Sequence, residues 1–173
     1  PNLTDDLREK EMNDLINILN EKGVLVRNLE RIECFDISNT SGTNATGSMV
    51  VFINGKKDSK WYRRFKIKTL SSPNDFAMIE EVLLRRMKHN EWPMPDLIIV
   101  DGGKGQISST LKALKQMHSN IPLIGLAKKE ETIITSDFKE IVLSINSGAL
   151  KLVMRIRDEA HRFAITYHRK LRS

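Results

Sequence analysis

A mixed α/β fold, one sheet with helices on its faces, is what three features of this 173-residue sequence predict. Residues 31–68 alternate apolar and polar side chains in short β-prone runs. One brief stretch, Leu97-Ile98-Ile99-Val100, is apolar throughout and closes on Asp101-Gly102-Gly103, as a strand buried on both faces does. Helical stripes, apolar every three or four positions, stand before, between and after these runs, so strands and helices mix along the chain.

Leu3, Leu7, Leu15, Ile18 and Leu19 predict an opening helix, capped by Thr4 or Asp5 and stopped by Gly23, so ending near Lys22. Arg31 to Ser38 then places Ile32, Cys34 and Asp36 on one side of a strand and Glu33, Phe35 and Ile37 on the other, which puts a carboxylate on an apolar face. Ser48 to Ile53 reads as a second strand, Asn54-Gly55 as a tight turn and Trp61 to Lys68 as a third strand, giving three antiparallel strands in succession. Ser72-Pro73-Asn74-Asp75 supplies a capping serine, a proline at the first helical position and an acid at the third, and Phe76, Ile79, Val82, Leu83 and Met87 continue as an apolar stripe. After the buried strand, a helix from about Gln106 to Met117 turns Ile107, Leu111 and Leu114 inward and leads to a second buried strand, Pro122 to Ala127. Thr132 to Thr135 and Glu140 to Leu143 form a short hairpin, and from Ala149 onward Val153, Ile156, Ala160, Phe163, Tyr167 and Leu171 mark a helix of about six turns. This order matches the RNase H-like arrangement: a mixed sheet with flanking helices, preceded by an N-terminal helix.

No run approaches the ~18 apolar residues that a membrane-spanning helix needs, and the start at Pro1 has no basic stretch followed by an apolar core, so a soluble fragment is expected. A lone Cys34 excludes an internal disulfide and a cysteine metal cluster, which fits a cytoplasmic protein. The net charge of +6 is unevenly spread: Lys56 to Lys68 carries seven bases and one acid, and Lys151 to Ser173 seven bases and two acids. Two basic islands on a slightly acidic body suit a polyanion such as a phosphodiester backbone, though solvated charged faces look the same.

If the first strand and the Leu97 strand are parallel neighbours, Asp36 and Asp101 stand ~5 Å apart, a spacing at which two carboxylates repel unless a cation lies between them. Oxygen ligands select Mg²⁺ or Mn²⁺, and such ions serve phosphodiester hydrolysis. The alternative is that each aspartate caps the turn after its strand. Asp75 can serve its own helix end or face a metal site. His161 sits on the edge of the last helix's apolar stripe, as a metal ligand, a proton carrier or merely a partly buried residue. Gly102-Gly103-Lys104-Gly105-Gln106 lacks Walker spacing but joins strand to helix, where backbone amides and Lys104 can approach phosphate. Tyr62, Arg64, Lys66 and Lys68 alternate onto one strand face, and Arg155, Arg157, Arg162, Arg169 and Arg172 give the last helix bidentate phosphate donors, although an exposed sheet face and an amphipathic helix also look like this.

Glu33-Cys34-Phe35-Asp36-Ile37-Ser38, Ser48-Met49-Val50-Val51-Phe52, Tyr62-Arg63-Arg64-Phe65, Asp101-Gly102-Gly103-Lys104-Gly105-Gln106, Gly125-Leu126-Ala127-Lys128 and Arg157-Asp158-Glu159-Ala160-His161-Arg162-Phe163-Ala164-Ile165 together resemble, in order and spacing, the C-terminal endonuclease domain of the UvrC family. The resemblance runs from about Ile32 to Arg172. It implies a degenerate RNase H fold that incises damaged DNA on the 5′ side of the lesion in bacterial nucleotide excision repair, with UvrB as protein partner through parts of the protein outside this monomeric fragment. By motif, Asp36, Asp101 and His161 match the family's catalytic triad and would hold Mg²⁺ or Mn²⁺, with Asp75 at a further acidic position. Arg63, Arg64, Lys66, Lys104, Gln106, Arg157 and Arg162 are the expected DNA contacts. Asn39 stands where many members carry histidine, and the segment after Lys128-Lys129 is shorter than in others. On this reading residues 1–30 are a helix and lead-in, and 31–173 the endonuclease domain. A non-catalytic DNA-binding module, and an RNase H-like nuclease acting on RNA–DNA hybrids or junctions, are the competing readings.

Overall fold

The computed structural model describes residues 3–38, 45–68, 75–129 and 131–172, with the side chains of Asp75 and of residues 167–172 outside that description. Ser72, Pro73, Asn74 and Asn39 therefore lie outside the described residues, as do the side chains of Tyr167, His168, Arg169, Leu171 and Arg172. The chain runs through helix α1 (Leu3–Glu21), strands β1 (Arg31–Ser38), β2 (Thr46–Ile53) and β3 (Lys56–Lys57), one 3-10 turn (Ser59–Trp61), strand β4 (Arg63–Lys66) and helix α2 (Asp75–Met87). Strand β5 (Leu97–Asp101), helix α3 (Lys104–Gln116), strands β6 (Leu123–Leu126), β7 (Thr132–Thr135) and β8 (Glu140–Val142), and helix α4 (Gly148–Arg172) complete it.

One sheet of eight strands results, in the order β3-β2-β1-β5-β6-β7-β8, with β4 pairing β2 beside β3. The two central pairings, β1 with β5 and β5 with β6, are parallel, and the outer ones are antiparallel. Central position explains the composition of these strands. Cys34, Phe35, Ile98, Ile99, Val100 and Ile124 are fully buried because helices cover both faces. The even-numbered side of β1 faces α4. Its odd-numbered side faces α2, as the contact that a side chain at Gly47, opposite Ile37, would make with Val82 shows.

The third antiparallel strand departs from the expected Trp61–Lys68. After the tight turn at Asn54-Gly55, only Lys56 and Lys57 pair with the end of β2; the 3-10 turn then interrupts the ladder, and Arg63–Lys66 resumes it against Thr46–Met49. Tyr62 lies before this strand, and its buried hydroxyl donates to Glu159 of α4, 2.7 Å away. It is thus a packing residue under α4 and not an exposed aromatic for nucleic acid.

Helix α4 lays Leu152, Val153, Ile156, Ala160 and Ala164 on the sheet. Helix α1 packs along α4, with Leu15 and Leu19 fully buried. Glu11 of α1 accepts two hydrogen bonds from Arg155, at 3.0 and 2.8 Å, and Arg155 also donates to the Gly55 carbonyl. On the opposite face a buried pair ties α2 to β1: Arg86 donates to both oxygens of Glu33 at 2.7 and 2.8 Å and to the carbonyls of His89 and Pro93, while Arg31 donates to Glu33 at 2.9 Å. Such a pair survives burial only because nearly every donor is satisfied.

Candidate metal centre

Parallel pairing of β1 with β5 registers Phe35 against Val100, so the next step along both strands brings Asp36 beside Asp101. Both carboxylates point to the α4 face, where Ala160 is fully buried and the neighbouring His161 reaches back toward the strand ends. His161 Nε2 lies 2.6 Å from Asp101 Oδ2 and 3.8 Å from Asp36 Oδ2. One ligand atom from each of the three residues falls within 4.8 Å of the others, the single such group among the described residues.

The turn behind Asp101 is built to hold it. Gly102 has φ 149°, and a side chain there would strike Gln106, whose Oε1 accepts from the Gly103 N–H at 3.0 Å. The Gly102 N–H donates to the Leu126 carbonyl, anchoring the strand end to β6. Helix α3 therefore starts at Lys104, two residues earlier than the apolar pattern indicates, because Gln106 closes its first turn.

Electrostatics follow from this crowding. Burial first, and then the charge of Asp101, push the Asp36 carboxyl up to about 6 against the opposing pull of His161. The His161 imidazole is raised above its usual value, chiefly by its hydrogen bond to Asp101. Two buried polar atoms flank the group with no hydrogen-bond partner among the described residues: Ser48 Oγ, on the residue paired with Asp36, and Arg157 Nε, 3.5 Å from Asp101 Oδ1. Two mutually repelling carboxylates, one imidazole nitrogen and an orphaned hydroxyl are a donor set that suits a hard divalent cation.

Other expected site residues scatter. Arg64 sits on the same cross-strand row as Asp36, through Ser48, two strand spacings or about 10 Å away. Its guanidinium lies over the Phe163 ring at 3.7 Å, while Lys66, two residues on, is exposed. Arg63 points to the other face, over Trp92. Lys104 is exposed at the start of α3, three residues from Asp101. Gln106 closes its helix, and Arg162 holds Glu159 through two bonds of 2.7 Å. Asp75 begins α2, with its side chain outside the described residues. Ser48 beside Asp36 was not legible as a site feature, and Arg157, expected as a DNA contact, was not legible as a neighbour of Asp101. Their only sequence signals are a strand pairing and a helical spacing of four from His161.

Fold and centre together define an RNase H-like α/β domain with two carboxylates and an imidazole at the ends of its central strands. The family model described as the UvrC RNase H endonuclease domain matches residues 21–165, and the chain belongs to that family. It is 51% identical over 147 residues to UvrABC system protein C of Chlorobium phaeobacteroides, covering 83% of this chain and 23% of that protein. The same protein of Methanococcus maripaludis is 48% identical over 161 residues, covering 91% of this chain and 31% of its own length. The chain thus spans about a quarter of the length of the curated relatives it matches. Among solved structures, Ciona intestinalis endonuclease V in complex with an inosine-containing DNA is 19% identical, with a TM-score of 0.47 over 72% of this chain and 54% of that one.

Proposed function

We propose that the chain is a Mg²⁺- or Mn²⁺-dependent endodeoxyribonuclease module that cuts the damaged strand on the 5′ side of a lesion in nucleotide excision repair. The observation that carries this reading is the convergence of Asp36, Asp101 and His161 within 4.8 Å on the α4 face of the sheet, in a chain of the UvrC endonuclease family. These three residues would hold the ion. When bound, it would supply positive charge to the scissile phosphate and lower the pKa of a water.

The chain's own residues do the rest. Asp36 and Asp101 are fixed by the two central strands, so their separation does not relax when substrate binds. His161 is oriented by its bond to Asp101, which in the metal-free chain also makes it carry a proton more readily than a free imidazole. Lys66 and Lys104 offer exposed cations near the row of acids, along which a DNA backbone would run, and Arg64, which donates to the Phe163 carbonyl, adds positive charge to the same row. Arg162 and Gln106 reach phosphate only by leaving Glu159 and Gly103. We assign the endonuclease to residues 31–173, the N-terminal helix and lead-in to 1–30, an acidic supporting role to Asp75, a cytoplasmic and monomeric state to the fragment, and UvrB contact to parts of the whole protein beyond it.

Nicking of supercoiled plasmid tests the reading. Cleavage requires Mn²⁺ or Mg²⁺ and disappears in Asp36→Ala and Asp101→Ala chains that still fold; undiminished cutting in both overturns it. A lesion-bearing duplex labelled at its 5′ end, given to the full-length protein with UvrB, reads the side of incision directly.

A further inference from the structure

Arginines on this molecule are mostly tied down. Arg86 makes four hydrogen bonds, Arg155 three, and Arg162 two to Glu159. Arg157 is different. Only 16% of its side chain is exposed, yet it forms no hydrogen bond among the described residues, and its buried Nε meets Asp101 only as an ion pair at 3.5 Å. A structural arginine at such burial is normally saturated with acceptors. Arg157 lines a small cavity together with Leu126, Ala127 and Val153, and its Nε stands 3.5 Å from Oδ1 of Asp101.

The two oxygens of Asp101 are thereby divided. Oδ2 faces inward to His161 at 2.6 Å, and Oδ1 faces Arg157. No other lysine or arginine among the described residues comes within 4.0 Å of Asp36 or Asp101. Arg157 also precedes His161 by four residues on α4, so the same helix that delivers the imidazole delivers a permanent positive charge one turn away.

We propose that Arg157 is a built-in second cation of this centre: it occupies the outer oxygen of Asp101, limits the ligand set to one divalent ion, and turns its unbonded N–H groups toward a phosphate oxygen of the DNA. The inference rests on the metal reading above. Two carboxylates bearing one divalent ion are neutral, and a guanidinium beside them leaves the centre net positive, the sign needed to draw in a phosphodiester. A second divalent ion would have to displace the guanidinium or lie against it, and like charges at that distance in a half-buried site repel strongly. Holding one fixed charge in place of a second ion also keeps part of the transition-state stabilisation independent of metal concentration.

Calorimetric titration with MnCl₂ of the wild-type chain, Arg157→Gln and Arg157→Lys, with circular dichroism to verify folding, separates the possibilities. Wild type takes up one Mn²⁺. Arg157→Gln binds the first ion roughly tenfold more tightly, because a neighbouring positive charge is gone, and admits a second. Arg157→Lys keeps the charge and stays within about twofold of wild type. Plasmid nicking by Arg157→Gln nevertheless falls by roughly tenfold or more, as expected for loss of a donor to phosphate. Tighter metal with slower cutting is a combination that mere loss of structure does not produce. Should the Gln variant not fold, Arg157→Met, which retains most of the stem, is read the same way. Unchanged or weaker Mn²⁺ binding in the neutral variants overturns the inference while leaving the metal centre intact. Absence of Mn²⁺ binding in the wild-type chain overturns the metal centre and this inference together.

Discussion

His161 leans on Asp101 and not on Asp36: its Nε2 is 2.6 Å from the first carboxylate and 3.8 Å from the second. Asp36 has the weaker contact to this imidazole, and burial first and then the charge of Asp101 raise its carboxyl to about 6.

That difference predicts how the metal-free chain responds to pH. The Asp36 carboxyl titrates near 3.8 when unfolded and at about 6 when folded, so the folded form binds protons more avidly. Its contribution is complete below about pH 4 and is lost as the pH rises through about 6. His161, raised chiefly by its bond to Asp101, has the same sign: its contribution is present in acid and fades as the imidazole deprotonates. Urea midpoints of wild type minus those of Asp36→Asn, without divalent ions, should therefore fall between about pH 4 and pH 7, by up to about 3 kcal/mol in free energy. Saturating Mn²⁺ should abolish that fall in the wild type and leave the variant unaffected. A difference that grows with pH in the absence of metal would contradict this assignment.

Glu33→Gln removes the charge that Arg86 and Arg31 both bond, and strands a guanidinium that is fully buried. The expected cost is about 3–5 kcal/mol in chemical unfolding. Because Glu33 lies on the α2 face, opposite the acids, nicking per folded molecule at low temperature should be unchanged. Lost activity in a fully folded variant would show that the two faces are coupled.

Gly125 offers a test of the scaffold behind Asp101. A methyl group there would lie 2.8 Å from the Gly102 carbonyl oxygen and 2.7 Å from Ile107. Backbone cannot move aside as a flexible side chain can, so Gly125→Ala should destabilise the fold by about 1–3 kcal/mol and, by shifting the strand end, weaken Mn²⁺ binding severalfold. A variant that keeps full stability would mean that the β6–α3 layer yields more than close packing allows.

Arg155→Ala removes one of the polar links between α4 and α1, leaving buried Glu11 with Arg8 alone, while Asp14 still accepts from the Ala149 N–H. Since a third of the Arg155 side chain is exposed, the loss should be moderate, about 1–2 kcal/mol. Melting temperature reads it directly, and hydrogen exchange along α4 should rise before the sheet opens.

Much of this architecture was legible in the sequence where one element's own pattern decides its structure. Leu97 to Val100 announces a central strand because only a strand covered on both faces can be apolar at every position, and Asp101 then had to fall at its end. The α4 stripe likewise named Val153, Ile156 and Ala160, which lie on the sheet, but not Leu152 or Ala164, and the side chains of its Tyr167 and Leu171 lie outside the described residues. What could not be read depends on partners far away in the chain. Arg155 looks like a phosphate donor until Glu11, 144 residues away, engages it. Tyr62 continues the alternation of Arg64 and Lys66, yet the turn at Ser59–Trp61 takes it out of the strand and under α4. Spacing alone cannot report a break in a ladder whose periodicity persists through it. The Asp36–Asp101 pairing was conditional on two strands being parallel neighbours, a fact of topology that no local pattern encodes.

The centre draws its two acids from the sheet and its imidazole from α4, and the two sources meet only when that helix is seated. Seating is what Arg155, Tyr62 and the Ala160–Ala164 stripe secure, at points spread along the rod. On the proposed reading, the site is completed by docking of α4 and not by the two acids alone. A force or partner that lifted α4 by a few ångströms would leave every strand in place and withdraw both the imidazole and the guanidinium in one stroke. Under the proposed function, such a site has its point of control in the joint between two layers.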